Sequence, residues 1–319
     1  MVVASPVIAI IGALVVSVLI DPFFTQFHSG SLVNVLTNNA MWSIGRILNG
    51  FLSILLTIGS MLYLNRLVSE EALLGKLSNL PLVSFAIGVF LIPVSYQNVT
   101  FWSSVLLFIV FLGQCLNCIN EKKLAYSVFN AAFMVGLLCL FSSGYIVHII
   151  TLFAALIVGG HLTVKRLFLA IFGVVTPIYL FATIFYIFWP EKLWISLGEL
   201  YIRVVSVTWS APSISVIIVV VMNIVFVLLQ TRSITMREKR LLRFQIIVAV
   251  VSISTILLAP TALFIGLVLV PLVILNARAM SSSKSKWVTR ILFYSLVVAA
   301  SINITFTIYA VRWIFNFEA

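Results

Sequence analysis

Apolar runs of near-membrane length recur along this chain, separated by connections of only a few polar residues. Eleven can be marked, at roughly 2–20, 46–64, 80–94, 101–118, 128–141, 145–159, 167–188, 213–230, 244–258, 261–275 and 291–311. A bilayer core takes about 20 apolar residues per crossing helix. Backbone in lipid must satisfy its own hydrogen bonds, which favours helices for runs of this kind. Composition agrees: 63% of the 319 residues are hydrophobic and only 8% are charged, where a soluble domain carries about a quarter charged residues. The mean hydropathy is +1.24. A water-soluble enzyme and a disordered chain are both excluded. The sequence predicts an all-α, polytopic integral membrane protein, with residues 1–319 as one transmembrane domain of about eleven segments.

Several runs are short and come in close pairs: 80–94 with 101–118, 128–141 with 145–159, and 244–258 with 261–275. Such hairpins tilt, re-enter or shelter behind other helices. Charge tests the count. With the N-terminus in the cytoplasm and strict alternation, the inner connections hold 15 of the 19 basic residues, and only Arg46, Lys192, Arg203 and Arg312 face out. This is the positive-inside bias, and it accounts for the net charge of +11 without nucleic acid as a partner. Fusing 244–275 into one helix would move Arg278, Lys284, Lys286 and Arg290 outside, which the same bias disfavours. The expected orientation is N-terminus cytoplasmic and C-terminus on the outer side.

Residues 1–20 carry no charged side chain and end in Leu19-Ile20-Asp21-Pro22. They lack the positive start and small-residue cleavage site of a signal peptide, so an uncleaved first helix is expected. Between runs seven and eight, the segment 190–212 carries Leu193, Trp194, Leu197, Leu200, Tyr201 and Val204 at helical spacing, the pattern of an amphipathic helix on the outer leaflet. The stretch 231–243 reads as a basic cytoplasmic loop, with topology-setting charge or an anionic lipid head as its uses. Trp42, Trp102, Trp189, Trp194, Trp209 and Trp313 fall at outer ends and Trp287 at an inner end, where amphipathic rings settle. Cys115 and Cys118 form a C-x-x-C with no second pair nearby, half of a zinc site at most, and are expected as buried packing residues.

No Asp, Glu, Lys or Arg lies near the middle of any run, whereas ion-coupled carriers hold such groups at mid-depth. His148 is the one ionisable residue within a run and reads as helix packing. Asp21, the only Asp, falls where the first run meets the outer surface, in the company of His28, Arg46, Glu199 and Arg203. A carboxylate there could act as a general base or hold a divalent metal ion against a phosphate. Arg46 and Arg203 could clamp a lipid-linked phosphate, since a guanidinium matches phosphate oxygens bidentately. Against this stands a plainer reading, in which Asp21-Pro22 ends a helix and the arginines meet headgroups.

Leu80-Pro81, Phe90-Leu91-Ile92-Pro93-Val94, Lys122-Lys123-Leu124-Ala125, Ala131-Ala132-Phe133-Met134-Val135-Gly136-Leu137 and Lys165-Arg166-Leu167 resemble the central helices of GT-C type membrane glycosyltransferases. Gly173-Val174-Val175-Thr176-Pro177-Ile178-Tyr179-Leu180 and the hairpins before it are similar to a family of inner-membrane proteins from Bacteroidota. The resemblance covers about half the chain. It implies a catalytic acid in the first outer loop, a position that Asp21 matches, and a polyprenyl-phosphate sugar donor used at the outer face. Three functions stay open: a GT-C-like transferase of envelope biogenesis, a non-catalytic membrane subunit that scaffolds protein partners, and a lipid or small-solute transporter. For the last, Asn223, Ser254, Thr255 and Thr305 are the residues that would line a polar path.

Overall fold

The structure, a computed structural model, describes residues 45–71, 73–74, 78–92, 99–188, 211–229, 235–258, 262–282 and 286–316. Ten of the eleven apolar runs are helical, and the first run lies outside the described residues. In chain order the helices are α1 (Gly45–Glu70), α2 (Leu80–Val89), α3 (Val99–Ile119), α4 (Leu124–Phe141), α5 (Ile149–Gly159, entered through a 3-10 turn at Ser143–His148), α6 (Val164–Phe188), α7 (Ala211–Leu229), α8 (Met236–Leu258), α9 (Ala262–Ser282) and α10 (Lys286–Asn316). No strand occurs among the described residues. Six stretches are long and apolar enough to cross a membrane: Asn49–Glu70, Val99–Ile119, Leu124–Phe141, Val164–Ile184, Phe264–Ser282 and Trp287–Thr305. The chain is thus a multi-pass helical membrane protein by length and composition.

The helices alternate in direction. Val99 at the start of α3 donates its N–H to Asn49 Oδ1 at the start of α1, 3.3 Å away. At the other end, Lys122 after α3 meets Glu71 after α1. Residues 244–275 are two helices, α8 and α9, that pack on each other, as the loop charges require. Of the basic stretch 231–243, the part from Met236 is the first two turns of α8. Thr235 and Glu238 build a reciprocal cap there: Thr235 N–H donates to Glu238 Oε2 at 2.8 Å, and Glu238 N–H to Thr235 Oγ1 at 3.3 Å. That is the Thr-x-x-Glu box, which satisfies donors the first turn would otherwise leave open.

α9 is the central post. It packs against α2, α3, α7, α8 and α10, and 94% of its membrane-length window is buried, against 22% for α6. Small residues allow the close approaches. A Cβ on Gly266 of α9 would stand 2.7 Å from the Phe101 ring, and one on Gly88 of α2 would stand 2.4 Å from Leu269. α6 runs parallel to α4 at the rim. There Ala132 and Gly136 meet Gly173 and Pro177, each pair four residues apart, the small-xxx-small seam by which helices associate in lipid. The outer face of α6, with Phe168, Phe172, Val175 and Tyr179 exposed, is the surface such a helix presents to acyl chains.

Trp102 differs from the expectation of a headgroup anchor. It lies in the first turn of α3, as expected for an outer end, yet it is fully buried, edge-on to Phe101 at 5.0 Å and tilted against Phe85 at 6.2 Å. The cause is α2, whose ten residues rise only about 15 Å and offer Phe85 to the Trp102 ring. Trp287, at the opposite end, is 71% exposed.

Candidate functional site

The five residues singled out for chemistry are not brought together by the described structure. Asp21, His28, Glu199 and Arg203 lie outside the described residues, as does the segment 190–210. Arg46 falls in the first turn of α1, with its side chain also outside the described set. What the structure does describe is the other end of the bundle, and every described charged side chain sits there: Arg66, Glu70, Glu71, Glu121, Lys122, Lys123, Lys165, Arg166, Arg237, Glu238, Lys239, Arg240, Arg243, Arg278 and Arg290.

This basic end is tied together by polar contacts between turns distant in sequence. Glu71 follows α1 and is only 5% exposed. Its two carboxylate oxygens accept from Lys122 Nζ at 2.7 Å and Asn120 Nδ2 at 2.5 Å, so the buried charge is paired and hydrogen-bonded, the condition for tolerating it. Arg278, near the end of α9, is equally enclosed and donates from Nη1 to the Leu73 carbonyl at 3.1 Å. Both partners of α1's exit are therefore fixed, one by α3 and one by α9. The turn joining α3 to α4 is tight and contains no glycine: Glu121 and Lys123 adopt φ of 60° and 45°, a left-handed conformation uncommon outside glycine. In that posture Glu121 puts its carboxylate 3.2 Å from His161 Nε2 on the next turn. Arg166 Nη1 donates to the His161 carbonyl.

A cavity of about 210 Å³ opens between these turns, lined by Ile119, Asn120 and Glu121 on one side and Arg237, Arg240 and Leu241 on the other. Arg237 and Arg240 are three apart on α8, hence on one face, and Leu241 is the buried floor beside them. Both arginines are exposed, and neither has an ion-pair partner among the described residues. Deeper in, Gln245 stands at a second, apolar space of about 20 Å³ under Pro271. Its Oε1 and Nε2 have no hydrogen-bond partner among the described residues. A space of that size admits one water, which needs about 10–15 Å³.

Asn223 Nδ2, Ser254 Oγ, Thr255 Oγ1 and Thr305 Oγ1 donate to carbonyls four residues back on their own helices, at 2.8–2.9 Å. That is the ordinary behaviour of short polar side chains in helices. His148 is fully buried, edge-on to Phe108 with ring centroids 4.8 Å apart, and Thr151 Oγ1 is 3.5 Å from its Nδ1. Cys115 and Cys118 are buried free thiols in the core of α3. No group of three or more metal-type ligands occurs among the described residues.

The Glu71, Glu121 and Arg278 contacts escape a sequence reading because each joins turns 40 or more residues apart. A signal existed. The chain has eight acids, and four of them, Glu70, Glu71, Glu121 and Glu238, fall in connections otherwise devoted to positive charge. Acids placed where a topology signal gains nothing from them mark specific pairing. No family model, no curated protein and no solved structure matches this chain.

Proposed function

We propose that this chain is a bacterial inner-membrane protein of envelope biogenesis, a GT-C-like transferase that acts on a lipid-linked sugar or a lipid phosphate at the outer leaflet. It crosses the membrane eleven times, N-terminus in the cytoplasm and C-terminus in the periplasm. Asp21 is the general base or the ligand of a divalent ion. Arg46 and Arg203 hold phosphate oxygens, with His28 and Glu199 beside them. The bound partner is a polyprenyl-phosphate lipid.

The observation that carries the reading is the division of charge. All described charges stand at one end, and the span interiors hold none. The remaining acids, Asp21, Glu191, Glu199 and Glu318, fall in segments that adjoin the far ends of α1, α6, α7 and α10. This division supports chemistry at a face of the bundle. A carrier needs a polar site at mid-depth, whereas Asn223, Ser254, Thr255 and Thr305 donate back to their own helices.

Native mass spectrometry of the gently purified protein, with lipids retained, tests this. A bound polyprenyl phosphate or polyprenyl-linked sugar is the expected result. Asp21→Asn should then abolish complementation of a deletion strain while expression holds, since a positioned acid–base group contributes about 10²–10⁴-fold. Full complementation by Asp21→Asn would remove the catalytic role. A stoichiometric protein partner with bulk phospholipid alone would replace the transferase reading with the scaffold.

A further inference from the structure

We infer that the cavity between the α3–α4 turn and the start of α8 is a binding site for a small phosphate-bearing anion, with Arg237 and Arg240 as its ligands. The site is at the opposite end of the bundle from the proposed chemistry and stands independently of it.

Three observations converge on it. First, the acids around the cavity are already engaged. Glu71 takes Lys122 and Asn120, Glu238 caps α8 through Thr235, and Glu121, which itself lines the cavity, lies against His161. The two arginines have no ion-pair partner among the described residues, and Glu121 is the one acid that lines the space with them. Second, those arginines are presented together. Their three-residue spacing on a regular helix sets two guanidinium forks on one wall, the arrangement that accepts several phosphate oxygens at once. The N-terminal end of the α8 dipole adds field of the same sign. Third, the size selects. Drug-sized ligands occupy clefts of about 300–1,000 Å³, so 210 Å³ suits a headgroup or one or two phosphates and not a whole nucleotide.

Topology-setting charge alone needs none of this. The positive-inside bias is met by lysine or arginine anywhere in a connection, as Lys123, Lys165 and Arg290 meet it on the exposed surface. Arg237 and Arg240 instead line a concave space opposite a turn held in left-handed backbone at Glu121 and Lys123. Phosphate oxygens at that depth come from a lipid headgroup or from a soluble phosphate, and the two are separable.

The full-length protein in detergent is titrated by calorimetry with dioctanoyl phosphatidate, and separately with inorganic pyrophosphate. Saturable binding of one or both is expected. The pair Arg237→Gln/Arg240→Gln should weaken it at least about tenfold, as loss of charge-assisted hydrogen bonds implies. The pair Lys165→Gln/Arg290→Gln, which removes equal charge outside the cavity, should change it less than about twofold. Arg237→Lys/Arg240→Lys should fall between, since charge stays and the fork goes. Binding of phosphatidate that pyrophosphate does not displace identifies a headgroup, and binding of pyrophosphate with the same arginine dependence identifies a soluble phosphate. Equal losses in the two glutamine pairs, or no saturable binding of either probe, would overturn the site. Elution profile and thermal unfolding of every variant, including each single arginine change, separate lost binding from lost fold.

Discussion

At the scale of single residues, the two partners of the buried ion pair are unequal. The Glu71 side chain is 6% exposed and the Lys122 side chain 57%. Removing the lysine strands a carboxylate in a place water does not reach, with Asn120 as its remaining partner. Removing the carboxylate leaves an ammonium that water can solvate. Lys122→Met is therefore expected to cost about 1–3 kcal/mol, and Glu71→Gln less, because an amide oxygen still accepts from Asn120. The double variant should recover part of the loss, and thermal unfolding of all four proteins gives the coupling. Equal costs for the two single changes would contradict the asymmetry. The backbone of the same turn makes a further prediction. Lys123 has φ of 45°, so Lys123→Val should be less stable than Lys123→Gly by about 1 kcal/mol or more, because a β-branched side chain resists that conformation.

Individual helices are positioned here by the absence of side chains as much as by their presence. In the α4–α6 seam, a Cβ on Gly136 would stand 2.4 Å from the Val174 carbonyl oxygen, and a Cβ on Gly173 would stand 2.8 Å from the Phe129 carbonyl oxygen. Backbone cannot step aside as a flexible side-chain tip can. Gly136→Ala and Gly173→Ala are each expected to cost about 1–3 kcal/mol through overpacking. Gly59 on α1 has nothing within 4 Å of its would-be Cβ, so Gly59→Ala should be neutral or gain up to about 1 kcal/mol from the lower entropy of the unfolded chain. Thermal unfolding in detergent measures all three. Pro177 fits the same seam, since it withholds a donor from the Gly173 carbonyl and its ring fills the space opposite Gly136 where a longer side chain would not fit.

For the molecule as a whole, connectivity and contacts gather every described charge at one end. Single cysteines in place of Lys123, Lys165, Arg243 and Arg290 should therefore react alike with a membrane-impermeant maleimide in intact cells. Cys115, Cys118 and Cys139 are buried and should contribute little background in the folded protein. A split among the four sites would break the one-ended arrangement. Protection of all four until the cells are permeabilised would place that end in the cytoplasm, as the positive-inside bias requires.

That the chain is helical and multi-pass, and roughly where each described helix falls, was legible along the chain, although helices such as Met236–Leu258 and Ala262–Ser282 run past the apolar runs 244–258 and 261–275. Lipid demands about 20 apolar residues per crossing, and basic residues avoid translocation, so both signals are local and additive. The helix-packing roles of His148 and Cys115 were legible for a similar reason: an apolar run offers such residues no other company. Which helix lies at the centre was not legible. Val164–Ile184 is more apolar than Phe264–Ser282, at hydropathy 2.3 against 1.9, yet the first is 22% buried and the second 94%. In water the apolar face of a helix must turn inward, so sequence reports facing. In a bilayer the acyl chains are as apolar as leucine, and hydropathy cannot separate a side chain that meets lipid from one that meets protein. For the same reason Trp102 could be placed at a helix end but not inside the bundle. Facing was decided by the tertiary structure, through close approach at Gly88, Gly136, Gly173 and Gly266 and through polar groups that had to find partners across the fold. Arg278 found Leu73, Glu71 found Lys122, and Arg237 with Arg240 came to face Asn120. None of these meetings is written in any local stretch, because each depends on which connections the packed helices bring to the same end.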